Sequence, residues 1–110
     1  EFFALEGLTQ LMKTIDRIKS NLNPSLEIRG ILLTMFDKRN KLSGQVEIEA
    51  RNYFKEKVYS TAVPRNVRLS EAPSHGIPVL LYDSVCPGSK AYFKFTEEFL
   101  EQDSKVVSAA

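Results

Sequence analysis

Two stretches of β-favouring residues, Ile28–Phe36 and Lys57–Val63, flank one helical stretch, and that order leaves the chain very few folds. The first stretch is almost continuously apolar through Ile31-Leu32-Leu33 and Met35-Phe36, as expected of a parallel strand buried on both faces. The second is rich in Val, Tyr and Thr, which suit a pleated surface. Strands joined through a helix run parallel, because a parallel pair needs a long crossover connection. The intervening residues supply that helix. Ser43 is its expected N-cap, it runs to about Phe54, and Val46, Ala50, Tyr53 and Phe54 form its apolar stripe. The chain is therefore read as α/β with one βαβ unit.

The flanks are helical as well. Leu5, Leu8, Leu11, Met12, Ile15, Ile18 and Leu22 recur at helical spacing, and Asn21–Ser25, containing Pro24, stops that helix. Beyond Val63, Pro64 ends the second strand. Arg65 to Gly76 reads as a loop with one helical turn near Ser70, and Pro78–Tyr82 as extended. A last helix is expected from Gly88 or Ser89 to about Gln102, with Tyr92, Phe95 and Phe99 inward, and residues 103–110 are expected to fray. Two or three strands make a poor sheet alone, so neighbouring strands are expected from outside this sequence. The opening Glu1-Phe2-Phe3, already inside a helical pattern, agrees with a chain cut from something longer.

With 110 residues, one domain is the ceiling. The 43% hydrophobic and 26% charged residues describe a soluble chain rather than a disordered one. A formal net charge of +1 gives no general attraction to nucleic acid, so any basic surface must be local. Cys86 is the single cysteine and has no internal disulfide partner, which suits a reducing compartment. With no apolar run of membrane-spanning length and no secretory pattern, the expected location is the cytoplasm.

The familiar catalytic devices are missing from these residues. There is no G-x-x-x-x-G-K-S/T phosphate loop, no Cys/His set with zinc spacing, and only one histidine, His75. Glu47 with Glu49, and Glu97 with Glu98, read as solvated helix faces. Two segments stand out because both leave the carboxyl end of an expected parallel strand, where open α/β sheets bind ligands. One is Thr34-Met35-Phe36-Asp37-Lys38-Arg39-Asn40-Lys41, with three basic residues in the four positions 38, 39 and 41 span. It is either a phosphate-contacting patch or a solvated loop. The other runs from Val63 to Gly76. Pro64 fixes its own φ and holds Val63 extended, making either a rigid ligand edge or an ordinary strand-to-loop turn.

A resemblance decides between these readings. Val63 to Gly76, V-P-R-N-V-R-L-S-E-A-P-S-H-G, is similar over fourteen residues to a long signature of the ParA/Soj partition ATPases. Glu1-Phe2-Phe3-Ala4-Leu5-Glu6-Gly7-Leu8 resembles the same family's helix start, and Gly30 to Asp37 with Arg39 resembles its strand and following loop. Pro78, Tyr82-Asp83, Gly88 and Ala91-Tyr92 continue the likeness, which covers about residues 1 to 101. One stretch departs from it. Where the family has Y-D-P-R-S-x-G, this chain has Tyr82-Asp83-Ser84-Val85-Cys86-Pro87-Gly88, without the arginine. Cys86 is accordingly read as a loop residue and not a reactive thiol.

The resemblance implies that residues 1–102 are the C-terminal half of a ParA-type ATPase domain, the C-terminal part of a P-loop NTPase-like parallel sheet flanked by helices. It implies an adenine near Thr34 and Met35 and against the backbone of Pro64, Arg65 and Asn66, and non-specific DNA at Arg39 and Arg68 beside Lys38 and Lys41. For the whole family it implies ATP and Mg2+, an ATP-dependent homodimer, a ParB-type partner, no membrane, and a cytoplasmic, nucleoid-associated role in chromosome or plasmid segregation. The phosphate loop and the magnesium-binding acidic residues of the family have no counterpart here. The chain is therefore expected to hold no catalytic or metal-binding residue, to bind no nucleotide tightly by itself, and to be inactive alone. The alternatives are an inactive remnant or decoy subunit, or part of a related MinD-type or iron-protein-type ATPase. The first of those relatives ends in a basic membrane helix, unlike Ser104 to Ala110, and the second needs bridging cysteines.

Overall fold

The computed structural model describes the backbone of residues 2–109 and the side chains of residues 6–104. In chain order the elements are α1 (Phe2–Asn21), β1 (Ile31–Phe36), α2 (Lys41–Phe54), a 3-10 turn (Lys55–Lys57) and β2 (Val58–Pro64). Then follow α3 (Val67–Glu71), a second 3-10 turn (Ala72–His75), α4 (Val79–Tyr82) and α5 (Pro87–Ala109). β1 and β2 pair in parallel, giving a two-stranded sheet in a mixed α/β chain. Two compact units result: Glu1–Ile31 with Lys38–Val58, and Leu32–Asp37 with Tyr59–Ala110.

The first unit is a pair of helices. α1 turns Leu8, Met12 and Ile15 to its half-buried side, leaving Leu11 and Leu22 exposed. Leu8 and Met12 line a hollow of about 540 Å³ with Ala50, Tyr53 and Phe54 of α2. Ala50 is buried as expected, whereas Tyr53 is 76% exposed and leans edge-on against Phe54 instead of joining the stripe. The N-cap of α2 is Asn40, not Ser43. Asn40 has extended backbone angles, φ −97° and ψ 117°, and its side chain accepts the Leu42 N–H at 2.8 Å. Ser43 lies in the first turn and is buried. Asn40 wins because it is the last residue with non-helical backbone, the geometry a cap requires.

The second unit contains the sheet and most of the buried residues. Along β2, Tyr59, Thr61 and Val63 alternate inward, and Val63 is wholly inaccessible. α5 covers this face, with Phe95 edge-to-face on Tyr59 at 4.9 Å and Phe99 at 6.3 Å. Glu98, on the same helix, is half-buried rather than fully solvated. Its carboxylate accepts the backbone N–H groups of Ser60 at 2.7 Å and Thr61 at 3.0 Å. Gly88 allows α5 to start close to α3, since a Cβ there would lie 2.7 Å from Leu69 Cγ.

β1 is shorter than the apolar run. It starts at Ile31 and is half-buried or open rather than buried on both faces, with Met35 59% exposed. Residues 78–82 are not extended. Pro78 precedes a single turn, α4, whose start is fixed by Leu81 and Tyr82 N–H bonds to the Pro78 carbonyl, both 3.0 Å. A proline ring tolerates this position because no N–H is required of it there. α5 extends well past Gln102, and the fraying expected of 103–110 falls largely on side chains outside the described residues.

Candidate nucleotide and polyanion site at the strand exits

The second unit brings the two strand exits side by side. Where β1 ends, the Phe36 carbonyl accepts the N–H of Arg65, the residue that follows β2, at 3.0 Å. Thr34 and Met35 on one strand and Pro64, Arg65 and Asn66 on the other therefore share one rim. Thr34, Met35 and Arg65 are exposed, and Pro64 and Asn66 half-buried. Met35 adopts φ +54°, a left-handed conformation that costs a side-chain-bearing residue about 1–3 kcal/mol. Such strain in the strand next to a rim is a pointer to function.

Asn66 is the N-cap of α3, with extended angles of φ −148° and ψ 126°. An asparagine in that position normally accepts an N–H from the first helical turn. Here the side chain makes no capping bond, and Oδ1 is buried without a hydrogen-bond partner. A buried acceptor left unmet costs about 1–3 kcal/mol.

One turn further, Arg68 enters a polar cluster that sequence reading did not find. Its Nη1 lies 3.0 Å from Glu71 and its Nε 3.4 Å from Asp83, while the side chain remains 47% exposed. The Tyr82 hydroxyl donates a short hydrogen bond to the same Glu71 oxygen, and the Tyr82 ring stacks on His75 at 4.9 Å and 23°. The Tyr82 hydroxyl and then Arg68 hold the Glu71 carboxyl below its ordinary value. Glu71 in turn raises Arg68 and Tyr82 above theirs. The Arg68–Glu71 spacing of three would have suggested a pair on a helix. Nothing in the sequence signalled that Tyr82 and Asp83 return to it.

Lys38, Arg39 and Lys41 belong to the first unit. All three are exposed, on the turn after β1 and at the first position of α2. Cys86 is buried at the start of α5, where its sulfur accepts the Ser89 N–H at 3.4 Å. Among the described residues no helix is long and apolar enough to cross a membrane, and no group of three or more His, Cys, Asp or Glu side chains could hold a metal ion.

Comparison with known proteins places this architecture. The family model described as the CobQ/CobB/MinD/ParA nucleotide binding domain matches residues 5–79. The chromosome partitioning protein ParA of Caulobacter vibrioides is 59% identical over 103 residues, covering 94% of this chain and 39% of the relative. The chromosome-partitioning ATPase Soj of Treponema pallidum is 49% identical over 105 residues, covering 96% of this chain and 42% of the relative. The sporulation initiation inhibitor protein Soj of Bacillus subtilis is 51% identical over 98 residues, covering 89% and 39%. The chain spans about two fifths of the length of these relatives. With more than half of its residues inside the match, the chain belongs to the CobQ/CobB/MinD/ParA nucleotide binding domain family.

Proposed function

We propose that this chain serves a ParA/Soj-type partition ATPase, with residues 1–102 forming the C-terminal half of its ATPase domain. Its part is to seat the base of ATP on the rim formed by Thr34, Met35, Pro64, Arg65 and Asn66. The observation that carries this reading is the buried, unmet Asn66 Oδ1 beside two strand exits joined by the Arg65–Phe36 hydrogen bond. An acceptor in that position suits the amino group of adenine and repels the carbonyl of guanine. Backbone groups at the carboxyl end of a parallel sheet give a flat, rigid edge for a base. The triphosphate and Mg2+ would be held by other residues of the whole protein. This chain's contribution is then to position, and phosphoryl transfer depends chiefly on positioning and charge stabilisation.

The basic residues Lys38, Arg39, Lys41 and Arg68 would meet phosphates of non-specific DNA, which requires charge and reach but no base reading. The corresponding biology is segregation of a chromosome or plasmid in the cytoplasm, on the nucleoid, by an ATP-dependent homodimer with a ParB-type partner.

The test is nucleotide binding by the whole protein. Asn66→Ala is expected to weaken ATP binding by roughly fivefold, the worth of one net hydrogen bond, while GTP binding, relieved of the facing acceptor, holds or tightens. Equal ATP affinity in the variant, measured with a fluorescent ATP analogue, would remove the base from this rim.

A further inference from the structure

We propose that Glu71 and Asp83 form an internal latch on Arg68 that a polyanion must displace, so that these two carboxylates set how tightly the surface around Arg68 takes nucleic-acid phosphates. The inference rests on the reading of Arg68 as a phosphate contact given above. It adds two acidic residues whose role is to oppose that contact.

The geometry is specific. A guanidinium offers its donors as a planar fork. In this chain Nη1 is directed to Glu71 at 3.0 Å and Nε to Asp83 at 3.4 Å, so both sides of the fork already face carboxylates. One positive charge is matched by two negative ones. With the latch closed, an approaching phosphate meets a cluster that is negative on balance. With the latch open, the same arginine can grip a phosphate through two parallel bonds.

The latch is built to open at the arginine and to stay in place at the acid. Arg68 is 47% exposed, and ion pairs at such exposure are weak enough to exchange. Glu71 keeps a second partner, the Tyr82 hydroxyl, when the arginine leaves. Tyr82 is itself steadied by stacking on His75. The latch also bridges two elements, because Arg68 and Glu71 lie on α3 while Tyr82 ends α4 and Asp83 caps it.

The experiment measures binding of the whole protein, with ATP, to a labelled random-sequence DNA duplex by fluorescence anisotropy across a salt series. Glu71→Gln and Asp83→Asn are each expected to tighten binding about two- to fivefold at fixed salt, in proportion to the weak pair each removes. In an Arg68→Ala background the gain from either change should shrink to the small direct repulsion between carboxylate and phosphate, since the coupling of a pair vanishes once one member is gone. Glu56→Gln, an exposed carboxylate of the first unit, should change affinity less than either. Tightening of undiminished size in the Arg68→Ala background would show a general charge effect and overturn the latch. Weaker binding in Glu71→Gln and Asp83→Asn would overturn it too, by showing that the acids hold Arg68 in its binding pose. If Arg68→Ala itself leaves affinity and salt slope unaltered, the phosphate-contact reading fails first and the latch with it. Circular dichroism of each variant identifies a folding defect, and Asp83→Asn stands in should Glu71→Gln not fold.

Discussion

Strand β2 treats its polar neighbours in opposite ways along its length. In its middle, the N–H groups of Ser60 and Thr61 are both met by one carboxylate, Glu98. Just past its exit, Asn66 Oδ1 is buried and met by nothing. The first arrangement follows the rule that buried polar groups find partners. The second breaks it, in a residue type that could easily have capped α3. A satisfied group stabilises the fold, whereas an unsatisfied one costs stability, a cost that the proposed base would offset on binding. The two groups should therefore answer mutation with opposite signs.

The largest effect is expected at Glu98. Glu98→Ala strips two backbone donors of their acceptor while the aromatic contacts of Phe95 and Phe99 with Tyr59 stay. Hydrogen bonds to a charged group are worth about 1.5–3 kcal/mol each, and partial exposure brings the expected loss to roughly 2 kcal/mol in all. Urea unfolding checks it through the midpoint at constant slope. No loss would mean that water replaces the carboxylate at no cost and that β2 does not depend on it.

The opposite sign is expected at Asn66. Asn66→Ala removes a buried acceptor that has no partner, so without nucleotide the variant should be as stable as the parent or more stable, by up to about 1 kcal/mol. The same change that weakens ATP binding would then raise the melting temperature of the ligand-free protein. A clear loss of stability would show that Asn66 is a structural residue and would end the contrast with Glu98.

Much of this contrast was out of reach of the sequence, for a physical reason. Periodicity is local, so α1, α2, both strands and the start of α5 could be read to within a few residues, and with them the pairing of the two strand exits, though not the end of α5. Contacts across long separations leave no such trace. Glu98 lies 38 residues from Ser60, and beside Glu97 it looks like ordinary helix surface. Asp83 sits fifteen positions from Arg68 and meets it only because α4 folds back. The extended reading of 78–82 failed because Pro78 starts a turn as readily as it interrupts a strand, and the Ser43 cap failed because Asn40 was equally eligible. Resemblance supplied the candidate rim residues, but not the unmet oxygen among them.

The smallest expected effect is the pH dependence that Glu98 gives to stability. Burial by itself would raise this carboxyl, but the Ser60 and Thr61 N–H groups outweigh burial and hold it below the ordinary glutamate value of 4.5. A carboxyl whose folded-state value is depressed binds its proton more readily when unfolded. Its stabilising share is thus complete above the ordinary value and is lost as pH falls through the lower, folded-state value. Partial exposure to solvent keeps this share small. Glu98→Gln keeps an acceptor oxygen but cannot titrate, so the variant should start less stable near neutrality and lose less on acidification. Unfolding midpoints in urea at successive pH values from neutral to acid should converge for the two proteins. Parallel curves would mean that the two backbone bonds are as strong to the protonated carboxyl as to the charged one, and that β2 is held by shape and not by charge.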